Sequence, residues 1–167
     1  EAGVALRGSP RWDLAVRDAD LTGGGGLAAF DCTLGIALGP KATPKTYALL
    51  RRTMMDFGMS TSVVKKKYMR ERPFMENNQP SCTPDWEAAL RKDGSYPSGH
   101  TAIGWTWALL LAQLAPERTD ALLARGRSFG ESRLVCNAHW NSDILQGRFM
   151  GSGTFARLQS DPVYQAD

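Results

Sequence analysis

The chain contains two histidines, and each stands among residues that could give it a chemical role. His100 closes the run Gly94-Ser95-Tyr96-Pro97-Ser98-Gly99-His100-Thr101, which turns directly into the apolar stretch Ala102 to Leu114. A loop feeding a helix leaves the first N–H groups of that helix without internal partners, and such a helix start attracts an anion, phosphate above all. Small residues at Ser98 and Gly99 let the backbone come close to that anion. At ~100° per residue, His100 heads one stripe with Ile103, Gly104, Trp107, Leu111 and Leu114, which predicts an imidazole turned inward against it. A satisfied core histidine beside an ordinary helix cap is the alternative for this run taken alone.

His139 and Asp143 are spaced i and i+4. On one helix face the carboxylate can take the Nδ1–H of the imidazole and leave Nε2 with its lone pair outward, although such a pair is also common on protein surfaces. Three cations complete the set. Lys65 and Arg72 are seven apart, so on a single helix they lie within ~20° of each other, with Lys66, Lys67 and Arg70 pointing elsewhere. The bare run Lys65-Lys66-Lys67 also reads as a solvated face or a nucleic-acid patch; Pro73, which stops a helix at about Arg72, favours phosphate. Arg133 falls close to the stripe of Leu122, Phe129 and Cys136, so its guanidinium must either find an inward partner or snorkel to the surface.

The elements that position these residues read as helices. With 167 residues, 43% apolar and 22% charged, the chain suits one globular domain with a real core. The longest apolar run, Trp105 to Ala112, is far too short for a bilayer, so no membrane partner is expected. A net charge of +3 gives no global pull on nucleic acid, and no nucleic-acid partner is expected. A short helix through Trp12, Leu14 and Ala15 gives way to a flexible glycine run, Gly23 to Gly26. Leu27 to Leu38 reads as a buried helix. Thr43-Pro44 opens another that ends at Gly58, a further helix runs from Ser60 or Thr61 to about Arg72, and Phe74 to Cys82 is a loop. A short helix follows Thr83-Pro84, one starts after Pro116, and the last runs from about His139 toward Leu158. No alternating strand pattern appears, which predicts an all-α fold of antiparallel helices with short loops.

Together, Lys65-x6-Arg72-Pro73, Pro97-Ser98-Gly99-His100 and Ser132-Arg133-x5-His139-x3-Asp143 resemble the three-part signature of the type 2 phosphatidic acid phosphatase superfamily. The surrounding residues, from about Leu6 to Leu158, are similar to the bacterial class A non-specific acid phosphatases. The resemblance implies a compact all-α bundle of the phosphatase and vanadium haloperoxidase type. It further implies metal-independent hydrolysis of small phosphomonoesters without a cofactor, and export to the periplasm. It assigns His139 as nucleophile, Asp143 as its orienting partner and His100 as acid and base. Lys65, Arg72, Ser98, Gly99 and Arg133 are then the phosphate cradle. Relatives carry a helical segment before the part matching Leu6, so residues 1–167 are expected to form a single catalytic domain without it, with a homo-oligomer left open. The alternatives are a vanadate-dependent haloperoxidase, a non-catalytic phosphate-binding module, and a metal hydrolase using His100, His139 and Asp143; three nearby cations disfavour the last.

Of the three cysteines, Cys82 lies in a loop near the site and Cys136 just before His139, so these two are expected to pair. Cys32 is expected to be a buried thiol.

Overall fold

The computed structural model describes residues 3–22 and 25–165. Among them every regular element is helical, in accord with the all-α expectation. A single-turn 3₁₀ helix, Val4–Leu6, precedes α1 (Pro10–Ala19), which Ser9 caps through its side chain, with proline at the first helical position. Two short helices, α2 (Gly25–Ala28) and α3 (Asp31–Leu34), occupy only half of the stretch expected as one buried helix over Leu27 to Leu38. The chain turns at Ala29 and Phe30 between them, and α3 ends where Gly35 takes the left-handed conformation, φ 72°, while Asp31 turns its carboxylate onto the Leu38 N–H at 2.8 Å. Leu27, Phe30, Leu34 and Leu38 still point into the core, but Cys32 between them is exposed, contrary to the buried thiol expected. Of the expected glycine run, Gly23 and Gly24 lie outside the described residues, and Gly25 and Gly26 open α2.

Helix α4 (Pro44–Met59) starts at the predicted cap and proline. Helix α5 (Ser62–Tyr68) ends four residues before Arg72, because Met69 adopts a left-handed conformation at φ 41°. Lys65 and Arg72 therefore do not share a helix face: one sits in the last turn of α5, and the other is the extended residue before the short α6 (Pro73–Glu76). That helix occupies the start of the expected Phe74 to Cys82 loop. A 3₁₀ turn, Pro84–Trp86, leads into α7 (Glu87–Leu90).

The centre of the molecule is α8 (Gly99–Leu114), apolar on most sides and packed against α4, α9 (Thr119–Val135) and α10 (Asn141–Gln159). A 3₁₀ turn, Pro116–Arg118, joins α8 to α9, and α11 (Pro162–Gln165) follows α10. Gly104 lets α8 and α9 meet closely, since a Cβ there would fall 2.1 Å from Cδ1 of Phe129. Ile103, Trp107 and Leu111 join Phe30, Leu50, Phe57, Leu122 and Phe129 in the main core, whereas Leu114, at the end of the expected inward stripe, is exposed. A second apolar cluster, including Trp12, Ala15, Ala19, Val135 and Ala138, surrounds the Cys82–Cys136 disulfide and ties α1 to the segment before His139. No helix among the described residues is long and apolar enough to cross a membrane.

Candidate active site

One end of α8 opens onto a cleft of about 250 Å³ whose lining includes Lys65, Arg72, Asp93, Gly99, His100 and His139. Ser98 lies beneath this lining as the cap of α8, its hydroxyl accepting from the Thr101 N–H at 3.2 Å. Its own N–H donates to the Asp143 carbonyl at 3.0 Å, so the backbone donors left for a bound anion are those of Gly99 and His100 in the unpaired first turn. Of Ser98, placed in the cradle by the resemblance, the N–H is therefore committed to Asp143, and the hydroxyl proton is the donor left to it.

His139 stands in the turn before α10 and not on that helix, yet the spacing to Asp143 brings the two together. Nδ1 lies 3.3 Å from Oδ2 of Asp143, and Nε2 lies 3.0 Å from Nη1 of Arg72. A carboxylate accepts and a guanidinium donates, so the neutral ring carries its proton on Nδ1 and its lone pair on Nε2. Burial, together with the charges of Arg72, Arg133 and Lys65, holds its pKa well below the ordinary 6.5. Asp143 is fully buried; its Oδ2 takes the Trp140 N–H at 2.9 Å and its Oδ1 takes Nη1 of Arg70 at 2.8 Å. Burial raises its pKa, and these two donors act against that rise.

Arg70, expected to point away, thus braces the carboxylate behind His139, with its guanidinium stacked over the Trp140 ring. Nothing local marks it, because its partner is 73 residues away. Asp93 was equally unmarked, and its Oδ2 accepts from Nζ of Lys65 at 2.8 Å and from Nη2 of Arg72 at 3.2 Å. Burial lowers the pKa of both cations and Asp93 opposes that shift.

Across the cleft, Nε2 of His100 lies 2.9 Å from the carbonyl of Ala19 at the end of α1. A carbonyl only accepts, so Nε2 carries a proton and Nδ1 is the nitrogen left for other chemistry. Burial and then the charge of Arg133 hold the His100 pKa well below 6.5. The end of α1 is anchored by Asp18, which accepts from Arg125 and from the Ser132 hydroxyl. Arg133, only 1% exposed, does not snorkel: Nη1 reaches Sγ of Cys136 at 3.6 Å and Nε has no hydrogen-bond partner among the described residues. Burial and the charge of Arg72 bring its pKa down to about 9, so it remains cationic at neutral pH. Arg133 and Asp143 lie behind the cleft surface, and neither is part of its lining. Among the described residues no group of three or more His, Cys, Asp or Glu is placed to hold a metal ion.

The pattern of one known family fits the region that builds this cleft: residues 47–161 match the PAP2 superfamily. The chain belongs to the PAP2 superfamily. It is 46% identical over 164 residues to the non-specific acid phosphatase of Salmonella typhi, covering 98% of this chain and 66% of that protein. It is 42% identical over 166 residues to the non-specific acid phosphatase of Providencia stuartii, covering 99% and 67%. The acid phosphatase of Zymomonas mobilis is 42% identical over 162 residues, covering 97% and 61%. The chain thus spans about two thirds of the length of these relatives, and their shared name agrees with the narrower family resemblance read from the motifs.

Proposed function

We propose that this PAP2 cleft hydrolyses small phosphomonoesters through a phosphohistidine, without a metal ion or cofactor. The observation that carries the reading is the His139 ring, held as the Nδ1–H tautomer with its Nε2 lone pair at a cationic cleft. The acid phosphatase names of the relatives support the same chemistry.

Nε2 of His139 attacks phosphorus in line as the ester P–O bond breaks, and Nδ1–H of protonated His100 gives its proton to the leaving oxygen. Arg72 transfers its hydrogen bond from Nε2 to a phosphoryl oxygen as the lone pair is committed. Lys65, Arg72 and the Gly99 N–H hold the remaining oxygens in the transition state from the cleft lining, and Arg133 and the Ser98 hydroxyl, just behind that lining, support them with charge and a donor. Asp143 orients the ring and offsets the charge it acquires. In the second step neutral His100 takes a proton from water at Nδ1, the water oxygen bonds to phosphorus, and the P–N bond breaks to release inorganic phosphate.

Three clustered cations favour an oxyanion and repel a divalent metal, which supports the metal-free reading. A periplasmic or otherwise oxidising location belongs to this proposal, supported by the Cys82–Cys136 disulfide. The test is turnover of a panel of phosphate esters with excess chelator, with acid-labile phosphoenzyme trapped by rapid quench. Activity that chelator abolishes and a divalent metal restores would reject the metal-free mechanism. Peroxide-dependent halide oxidation without ester turnover would point instead to a haloperoxidase.

A further inference from the structure

Asp93 is the one carboxylate among the described residues that line the cleft, and it is bonded to two of the cations proposed to hold the substrate. The chain around it repeats the arrangement: the Asp93 carbonyl accepts from Nε of Arg72 at 3.2 Å, and the Gly94 carbonyl accepts from Lys65 and Arg72. The exposure of the partners is unequal. The side chains of Lys65 and Arg72 are 10% and 2% exposed, so packing fixes them, whereas that of Asp93 is 54% exposed and can swing into solvent. A carboxylate oxygen and a phosphoryl oxygen make the same charge-assisted bonds with ammonium and guanidinium groups.

We propose that Asp93 is a built-in competitor for phosphate. It occupies Lys65 and Arg72 while the cleft is empty, yields them to the phosphoryl group, and returns as inorganic phosphate leaves. The idea rests on the phosphatase reading of the same cleft and adds to it a residue that sets how tightly oxyanions are held. The opposing account is that Asp93 only positions the two cations. The accounts differ in sign, because loss of a competitor tightens anion binding and loss of a positioning group weakens it.

The experiment compares the wild type with Asp93→Asn and Asp93→Ser, measuring the Kd of inorganic phosphate and of orthovanadate by calorimetry, and product inhibition by phosphate during ester hydrolysis. The Asp93 end of both ion pairs is half-exposed and screened, so the net effect of removing the negative charge is on the order of tenfold tighter binding. Both variants should show this for both anions, with product inhibition strengthened by a similar factor. Unchanged or weaker binding in both variants would overturn the proposal while leaving the phosphatase reading intact. If not even the wild type binds phosphate or vanadate, the phosphatase reading fails, and the competitor role fails with it. The serine variant decides the matter if the asparagine amide bridges the cations in place of the carboxylate.

Discussion

Nη1 of Arg72 lies 3.0 Å from Nε2 of His139, so a cation that can only donate occupies the lone pair proposed as the nucleophile. The same guanidinium reaches the Ala138 carbonyl through Nη1 and Asp93 through Nη2, a span that one ammonium group cannot reproduce. Arg72→Lys should therefore lower kcat/KM by about 10²-fold or more although the charge is kept, the size typical of losing a preorganised donor in a reacting site. It should also let His139 sample the other tautomer, visible in the nitrogen-15 shifts of the ring. A variant with near-normal turnover and an unchanged tautomer would deny Arg72 both roles.

The two histidines are assigned to different bonds and separate kinetically. His139→Ala should lose turnover on every ester. His100→Ala should lose the first step on alkyl esters by ~10²–10⁴-fold more than on nitrophenyl esters, because a nitrophenolate leaves without a proton. On the activated ester the same variant should give a burst and then slow turnover, since the second step also needs His100. Rapid-quench kinetics on both ester types decide the matter, and equal first-step losses in His100→Ala would reverse the assignment.

How the site was legible in the sequence follows from how local each signal is. Ser98 with His100, and His139 with Asp143, lie within two short motifs whose spacing brings each pair together, and α8 reads as a loop-fed apolar helix. Lys65 and Arg72 converge for a different reason from the one their spacing suggests, since a left-handed Met69 ends α5 and the chain turns back. No glycine or asparagine announces that turn. Arg70 and Asp93 act through partners 73 and 28 residues away, which no periodicity encodes. The turn at Ala29 and Phe30 and the end of α3 at Gly35 are not legible, because a nearly all-apolar stretch carries no helix-or-turn signal beyond Gly35, where Asp31 folds back onto Leu38.

The imidazoles of His100, half-buried at the cleft, and of buried His139 couple anion binding to acid stability. The pKa values of His100 and His139 lie below 6.5 in the folded chain, so the unfolded chain binds more protons as pH falls through 6.5. Their contribution is complete above that pH and is lost below it. Asp143 acts in the opposite sense: its folded pKa is above 3.8, so its share is complete below 3.8 and is lost as pH rises through the raised value. Between pH 7 and 5.5 the two histidines should dominate, and the melting temperature should fall. Saturating phosphate, which favours the charged imidazoles, should flatten that fall. A melting temperature that rises on acidification without phosphate would contradict the linkage.

The disulfide joins residues 54 apart, with Cys136 three residues before His139. Closing a loop of that length stabilises a fold by roughly 4 kcal/mol on the chain-entropy estimate. Cys82→Ser/Cys136→Ser should lose stability on that scale in urea and lose activity beyond it, because the His139 segment is released. Alkylation of exposed Cys32 in the native protein should cost neither. Inactivation by a thiol reagent that modifies Cys32 alone would show that this residue matters to the cleft.

Three glycine-to-alanine changes separate the packing of the fold from the geometry of the cleft. At Gly104 the new Cβ would meet Cδ1 of Phe129 at 2.1 Å, an overpacking of the core that costs about 1–3 kcal/mol. At Gly147 it would meet the Ser98 carbonyl at 2.5 Å and Cβ of Thr101 at 3.0 Å. A backbone oxygen cannot turn aside as a side chain can, so the cap of α8 must move, and with it the Gly99 N–H and His100. Gly153, on the exposed side of α10, has nothing within 4 Å of the new Cβ apart from its chain neighbours and its own helix backbone. Gly153→Ala should stabilise the chain by roughly 0.5–1 kcal/mol through helix propensity, with kinetics unchanged. Gly104→Ala should lose stability with kcat/KM largely kept at temperatures where it is folded, whereas Gly147→Ala should lose kcat/KM out of proportion to its stability. Urea melts and steady-state kinetics on the three variants test this together, and a Gly147→Ala enzyme with normal kcat/KM would show that the α8 cap does not set the catalytic geometry.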